Sequence, residues 1–307
     1  MNWQTKVEIP PLKERIRYKD KVLFLGSCFA SEIGSVMRDL RFDAEVNPFG
    51  VMFNPASISL SLERLSSGKE FAGSDIFLEG DIWKSFYHGS EFAAMSADGF
   101  LESNNQILRN ASRHFHESKF VVLTLGTSWI YRENKGGKVV SNCHKLPASA
   151  FNREFLDAQE SFSLIRYWID KYPQKQWIIT VSPVRHLKDG ARGNQISKAN
   201  LIVASAMLEK YSPSVSYFPT YEIFMDELRD YRFYASDMVH PSADSVRYIW
   251  EKFLDFAVSQ ECNDKIKLVG KLNLMKRHKV LFRESKDYKL FLIKMEEIEQ
   301  KITSMDL

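Results

Sequence analysis

Two adjacent residues with nucleophilic side chains, Ser27 and Cys28, stand where a strand is predicted to turn into a helix. Four apolar residues run into Gly26 before the pair, and the segment after it has a helical pattern. Such a turn holds one side chain at the carboxyl edge of a sheet, beside the positive end of a helix dipole. A hydroxyl or thiol in that position can act as a nucleophile.

A possible acid–base pair lies near the other end of the chain. Asp237 precedes His240 by three residues, just before a predicted helix for which Ser242 is a suitable N-cap. This spacing can put both side chains on one side of a turn, where the carboxylate fixes the tautomer of the imidazole. The imidazole could then take a proton from a hydroxyl or thiol and return it to a leaving group. The alternative interpretation is a polar cluster at a helix entry.

These residues need a fold that brings them together. Apolar segments at 22–25, 120–125 and 177–181 predict buried strands, and 42–46 and 215–218 predict shorter ones. They alternate with helical patterns, which predicts a three-layer α/β/α sandwich of flavodoxin-like type with a mostly parallel sheet. In such sheets the ligand sits beyond the carboxyl ends of the strands.

The loops after the later buried strands bring more polar residues to that edge. Gly126-Thr127-Ser128 follows one strand, and a segment ending in His186 follows the next. His186 either lines the site or is an ordinary loop residue. Trp129 is interpreted as a pocket wall or a core residue.

The rest of the chain is predicted to surround this sheet. Residues 1–262 form the main domain, in which 67–118 are partly an insertion that includes a hairpin at 77–83. Residues 151–172 predict one long amphipathic helix. Residues 263–307 predict a helical C-terminal extension that packs on the domain or on a partner, as a candidate contact for oligomers.

Composition narrows the class of protein. The 307 residues are 44% hydrophobic and 13% aromatic, which favours a sizeable core over disorder. A net charge of +3 without a dominant basic tract gives little reason to expect nucleic acid as a partner. The start of the chain has no apolar signal-like segment, and no apolar run reaches the roughly 18 residues of a membrane span.

The cysteines point to a reducing compartment. Their number is three, and their spacing fits neither a disulfide framework nor a zinc knuckle, which predicts a cytoplasmic protein. The neighbouring Cys143 and His144 have no further ligand at a suitable spacing. The sequence therefore predicts no metal and no cofactor.

The segment Gly26-Ser27-Cys28-Phe29-Ala30 matches, letter for letter, the motif that names the GSCFA family of bacterial proteins. The chain resembles that family, whose members look like SGNH (GDSL-type) hydrolases. In that superfamily a Gly-Asp-Ser block follows the first strand and an Asp-x-x-His block precedes the last helix. Residues 237–240 are similar to the last block, and the resemblance covers residues 20–260.

The resemblance implies a catalytic triad. Laid on Gly-Asp-Ser, the motif puts Ser27 at the Asp position and Cys28 at the nucleophile position, so Cys28 is the first choice and Ser27 the second. It implies that His240 is the general base and then the acid, and that Asp237 orients it. The alternative for Cys28 is a buried, inert thiol.

The resemblance also implies an oxyanion hole. The superfamily uses the N–H of the nucleophile, a Gly N–H in a second block and an Asn side chain in a third. Gly50 is the best match for the second block, and Ser128 stands where the Asn would be. A hydroxyl can donate to an oxyanion, but losing one good donor costs on the order of 10²–10³ in rate. Gly126, Thr127 and His186 would complete the binding surface.

The predicted function is therefore hydrolysis or transfer of an acyl group from a small or carbohydrate-linked ester. A thiol nucleophile favours transfer slightly, because a thioester intermediate can pass its acyl group onward. The alternative is a catalytically weak or inactive binding or assembly protein with the same fold, which the missing third-block Asn favours. No membrane partner is expected.

Overall fold

The computed structural model describes residues 5–279 and 281–305. The strands, in chain order, are β1 (Val22–Gly26), β2 (Ala44–Val46), β3 (Phe77–Glu79), β4 (Ile82–Lys84), β5 (Phe120–Leu125), β6 (Trp129–Glu133), β7 (Val139–Val140), β8 (Phe151–Phe155), β9 (Gln176–Val181) and β10 (Val215–Phe218). The α-helices are α1 (Cys28–Asp39), α2 (Pro55–Ser67), α3 (Ala97–Glu117), α4 (Ala158–Lys171), α5 (Gly190–Tyr211), α6 (Thr220–Glu222), α7 (Ala243–Ala257), α8 (Asn263–Arg277) and α9 (Lys286–Thr303).

Five parallel strands form the central sheet in the order β10-β9-β5-β1-β2. Numbered among themselves, they have the order 2-1-3-4-5 of flavodoxin-like sheets. Helices cover both faces, so the predicted three-layer α/β/α fold is confirmed. The order reverses between β1 and β5, and the crevice beyond the carboxyl ends at such a point is where ligands bind in sheets of this kind.

Side chains of β1 alternate between the two faces of the sheet, as the period of a strand requires. Leu23 and Leu25 pack into a core with α2, α3, α4 and α5. Val22 and Phe24 pack on the opposite face with α1 and α7. All five residues of β1 are buried, which explains its nearly continuous apolar sequence.

Residues 151–172 do not form one helix, so that prediction was wrong. Residues 151–155 are strand β8, which pairs antiparallel with β6. A new helix begins after Asp157, whose side chain accepts a hydrogen bond from the N–H of Glu160 at 2.8 Å. Glu160 accepts in return from the N–H of Asp157 at 2.7 Å, and this capping box marks the start of α4.

Two small sheets lie beside the main one. β3 and β4 form the predicted hairpin. β6, β7 and β8 form a three-stranded antiparallel sheet, which the sequence did not indicate. It follows directly on the loop after β5 and supplies one wall of a cleft described below.

Helix α7 runs from the carboxyl edge of the sheet to the amino edge. Its last turn is held by the lead-in to β1, where the N–H of Ile16 donates to the carbonyl of Ala257 at 2.8 Å. The helix has 15 residues and is therefore about 22 Å long. Its first turn, like that of α1, accordingly lies toward the carboxyl edge.

The predicted helical extension is present as α8 and α9. The two helices pack on each other through Val269, Leu272, Ile298 and Ile302. Arg41, just after α1, pairs with Glu299 of α9 at 2.5 Å. Within the described parts of the chain, no helix is long and apolar enough to cross a membrane.

Candidate active site

The turn after β1 requires glycine. Gly26 has φ = +137°, and a Cβ atom there would lie 2.2 Å from the backbone oxygen of Thr124 on the neighbouring strand. That oxygen accepts a hydrogen bond from the N–H of Ser27 at 3.1 Å. The close approach of β1 and β5 therefore fixes the point at which the chain leaves the sheet.

Ser27 and Cys28 occupy different environments at this turn. Ser27 is the N-cap of α1, but it is 1% exposed and its Oγ has no hydrogen-bond partner. Cys28 is the first helical residue and is partly exposed. Burial raises the pKa of the Cys28 thiol. The backbone N–H of Cys28 opposes this shift, and the negative charge of Glu32 adds to it. Cys28 is thus the more accessible of the two residues, and its thiol is protonated at neutral pH.

The first turn of α1 offers two backbone donors. Within the described residues, the N–H of Phe29 donates to no protein acceptor, and the N–H of Cys28 interacts only with its own thiol sulfur. The first N–H groups of a helix lack intrahelical partners, and the dipole favours negative charge beside them. These two groups can therefore stabilise an oxyanion.

Asn47 supports the same turn from the loop after β2. Its Oδ1 accepts from the N–H of Gly26 at 2.9 Å, and its Nδ2 donates to Ser31 Oγ at 2.8 Å. Gly50 lies in the same loop, but its N–H already donates to the carbonyl of Asn47 at 2.8 Å. This geometry speaks against the predicted role of Gly50 in an oxyanion hole. The two Asn-Pro pairs marked this loop as a turn, but gave no signal for the role of Asn47.

Ser128 is not placed to donate to an oxyanion, so its predicted role needs correction. The residue is fully buried. Its Oγ donates to the carbonyl of Ser197 at 3.0 Å and accepts from Asn200 Nδ2 at 3.1 Å. The hydroxyl therefore holds α5 against the end of β5.

Gly126 and Thr127 also serve the backbone at this edge. Both N–H groups donate to the carbonyl of Phe53, at 2.8 and 2.7 Å. The Thr127 hydroxyl lies 3.1 Å from Ser197 Oγ, and Thr127 lines a cleft at the carboxyl edge. Gly126 therefore shapes the loop, whereas Thr127 has access to the cleft.

Asp237 and His240 form the predicted pair. His240 Nδ1 lies 2.7 Å from Asp237 Oδ2, and Asp237 Oδ1 accepts from the N–H groups of His240 and Val239 at 3.0 and 2.9 Å. The backbone N–H of His240, its imidazole and the N–H of Val239 together lower the pKa of Asp237 to about 2. Among the described residues, no group forms a hydrogen bond with His240 Nε2.

The pair lies at the same edge of the sheet as the turn at Ser27 and Cys28, because it immediately precedes the first turn of α7. Both side chains are about half exposed. In the part of the chain that the structure describes, no hydrogen bond joins His240 to Ser27 or Cys28.

A cleft of about 490 Å³ opens over the ends of β5 and β9. His186 lines it and packs edge-on against Phe53, with 5.9 Å between ring centroids. Burial, and then the charge of Lys198, lower the pKa of His186 to about 4. The imidazole is therefore neutral at pH 7. Val239, beside His240, also lines the cleft, which connects it to the Asp–His loop.

Lys198 is a buried lysine between the loops after β5 and β9. It is 1% exposed, and its Nζ donates to the carbonyls of Gly126 and Ser182 at 2.6 Å each. Burial, opposed by the charge of Asp189, lowers its pKa to about 7. Lys198 ties together the loops after β5 and β9. Sequence reasoning missed it, because a lysine in a predicted helix usually faces solvent.

The protein is a three-layer α/β protein. A strand-to-helix turn and an Asp–His pair lie at the carboxyl edge of its parallel sheet. The model of the GSCFA family matches residues 21–253, and the chain belongs to that family. The match includes the whole central sheet, the turn and the Asp–His pair. No curated protein matches the chain.

Proposed function

We propose that the protein transfers an acyl group from an ester to water or to another acceptor, as an enzyme of SGNH type. Cys28 is the nucleophile, His240 the general base and Asp237 the residue that orients it. The observation that carries the proposal is the bond from His240 Nδ1 to Asp237 at 2.7 Å. It leaves Nε2 available at the edge of the sheet where Cys28 begins α1.

In the first step, Cys28 Sγ attacks the ester carbonyl while His240 Nε2 takes the thiol proton. The N–H groups of Cys28 and Phe29 stabilise the oxyanion that forms. When the carbon–oxygen bond breaks, His240 gives the proton to the departing alcohol and a thioester remains. Water or another acceptor then attacks the thioester carbonyl and gives a proton to His240. The carbon–sulfur bond breaks, and His240 returns the proton to the departing sulfur of Cys28.

Cys28 is preferred to Ser27 because a substrate can reach it. The raised pKa of its thiol is compatible with this role if His240 removes the proton during the attack rather than before it. Ser27 is the alternative nucleophile, and its unpartnered Oγ would need a small opening of the turn.

The test compares turnover of p-nitrophenyl acetate in buffer by the wild type, His240→Ala and His114→Ala. His114 is a matched control because it also pairs with an aspartate, Asp43, at 3.1 Å. We expect His240→Ala to lose at least about 100-fold in rate, as loss of a general base does, and His114→Ala to retain full activity. Equal rates in the two variants would contradict the proposal.

The same assay separates the two reaction types. Turnover in buffer alone indicates a hydrolase. Turnover that requires an added sugar or amine indicates a transferase, because the acyl group then leaves the enzyme only on that acceptor.

A binding protein without chemistry is the second candidate. The Gly50 N–H and the Ser128 hydroxyl are both occupied by structural hydrogen bonds, which favours it. A folded sample in which neither iodoacetamide nor a fluorophosphonate labels Cys28 or Ser27 would support this alternative. Fluorophosphonate labelling of either residue that is lost in His240→Ala would support the enzyme, because a general base must remove the proton during that attack.

A further inference from the structure

The cleft over β5 and β9 has an excess of positive charge. Arg153, Arg185 and Lys188 line it, with Asp189 as their one acidic neighbour in the lining. Arg153 pairs with Asp189. Among the described residues, Arg185 and Lys188 have no carboxylate partner. Two cations are therefore available to a ligand.

Aromatic rings and hydroxyls, rather than carboxylates, hold these cations in place. The guanidinium of Arg185 lies 4.1 Å from the ring centroid of Tyr234, and Lys188 Nζ donates to the Tyr131 hydroxyl at 3.0 Å. Cations held in this way keep their charge unneutralised. They favour an oxyanion that approaches through the cleft.

The same cleft contains buried polar atoms without partners. Trp129 Nε1, Arg153 Nε and His186 Nε2 are all buried and form no hydrogen bond. Leaving such a group unsatisfied is unfavourable, because its hydrogen bonds to water are lost and not replaced. The residues that carry these atoms line the cleft, but the atoms lie below its surface, so the charges of Arg185 and Lys188 are the groups that a ligand meets first.

Arg153 is already oriented to bind an anion. Its guanidinium stacks on Trp129, 4.0 Å from the ring centroid, while Asp189 holds its other side. A guanidinium fixed between a ring and a carboxylate loses little conformational entropy when it binds an anion.

We infer that this cleft binds the carboxylate or phosphate group of a small organic anion. Its volume of about 490 Å³ is within the range of small-molecule sites. The N–H of Arg185 donates to the carbonyl of Val239 at 3.2 Å, so the anion lies beside the loop of Asp237 and His240. The bound anion is thus the charged part of the acyl-transfer substrate, a step that rests on the proposed function.

Isothermal titration calorimetry at constant ionic strength tests the inference with three sugars. Glucuronate carries a carboxylate, glucose 6-phosphate carries a phosphate, and glucose is the neutral control. We expect one or both anions to bind and glucose not to bind, and the tighter anion identifies the class of ligand. Affinity falls as NaCl is added, because salt screens the charges.

Two variants locate the site. Lys188→Gln weakens binding of the anion by about tenfold, equivalent to about 1.4 kcal/mol. Lys210→Gln makes the same change of charge at an exposed position on α5 and leaves the affinity unchanged. Equal binding of glucose and the anions, no binding of either anion, or equal affinities in the two variants would each overturn the inference.

Titration of His240→Ala separates this inference from the proposed function. That variant retains anion binding even though it loses acyl transfer. If the wild type binds the anion but turns over no ester, the proposed function fails and the anion site stands. If it turns over esters but binds no anion, only the present inference fails.

Discussion

The side-chain oxygen of Asn47 accepts a hydrogen bond from the N–H of Gly26 at 2.9 Å. The same side chain donates to Ser31, in the first turn and a half of α1, at 2.8 Å. One buried amide thus connects the end of β1, the loop after β2 and the helix that begins with Cys28. The position of the candidate nucleophile depends on this amide as well as on the strand.

Replacing Asn47 should destabilise the protein for two separable reasons. Asn47→Gly removes the hydrogen bonds and leaves the Gly26 N–H buried and unpaired, at a cost of about 1–3 kcal/mol. Asn47→Ala adds backbone strain, because the residue has φ = +44°, and should be less stable than the glycine variant by about a further 1 kcal/mol. Urea denaturation measures both free energies of unfolding. An alanine variant as stable as the glycine variant would show that this strain is absent.

Gly26→Ala should prevent correct formation of the turn. The new Cβ would collide with the backbone of Thr124, which cannot move without disturbing β5, so we expect a loss of more than about 3 kcal/mol or no soluble protein. Gly270→Ala is the matched control, since it lies in α8 with nothing within 4 Å of the added Cβ. It should raise the free energy of unfolding by about 0.5–1 kcal/mol. A Gly26→Ala variant of wild-type stability would contradict the close packing of β1 on β5.

Lys198 makes stability depend on pH in a defined window. The unfolded chain keeps its proton up to the ordinary pKa of 10.5, whereas the folded protein releases it at about 7. Between these values the unfolded state binds more protons, so the contribution of Lys198 to the free energy of unfolding rises with pH. The slope is at most about 1.4 kcal/mol per pH unit.

Urea denaturation of the wild type and Lys198→Met at pH 7, 8 and 9 measures how the contribution of Lys198 to the free energy of unfolding depends on pH. The difference in stability between them should shift in favour of the wild type as pH rises. Lys175→Met, at the opposite edge of the sheet, is the comparison. Burial lowers the pKa of Lys175 to about 8, so its contribution to stability begins to rise at a higher pH than that of Lys198. A difference independent of pH for Lys198→Met would mean that Lys198 keeps its proton when folded.

The reactivity of Cys28 should increase with pH. Burial raises its thiol pKa above the ordinary value of 9, and only the thiolate reacts with alkylating agents. The rate of modification by iodoacetamide, followed at the Cys28 peptide by mass spectrometry, should therefore still be rising at pH 9. His240→Ala should leave this profile unchanged, because no hydrogen bond joins the two residues in this structure. A plateau below pH 8 that disappears in the variant would instead indicate a resting thiolate–imidazolium pair.

Local sequence patterns predicted the features that depend on near neighbours. The apolar segment at 22–25 predicted a buried strand, and the three-residue spacing of Asp237 and His240 predicted their pairing, which is present at 2.7 Å. The prediction for residues 151–172 was wrong because it took the alternating pattern of a strand and the periodic pattern of the following helix as one amphipathic helix. The Asp157–Glu160 capping box was the signal that separated them.

Contacts between distant parts of the chain were not predictable in this way. The sequence by itself determined the alternation of strands and helices, the glycine turn and the Asp–His pair, because each is set by spacing within a few residues. Only the tertiary structure decided that Ser128 faces α5, that Lys198 is buried between two loops, and that Ser27 is buried while Cys28 is accessible. These outcomes depend on which hydrogen-bond partners and which open space the packed elements bring to each side chain, and a one-dimensional pattern does not contain that information.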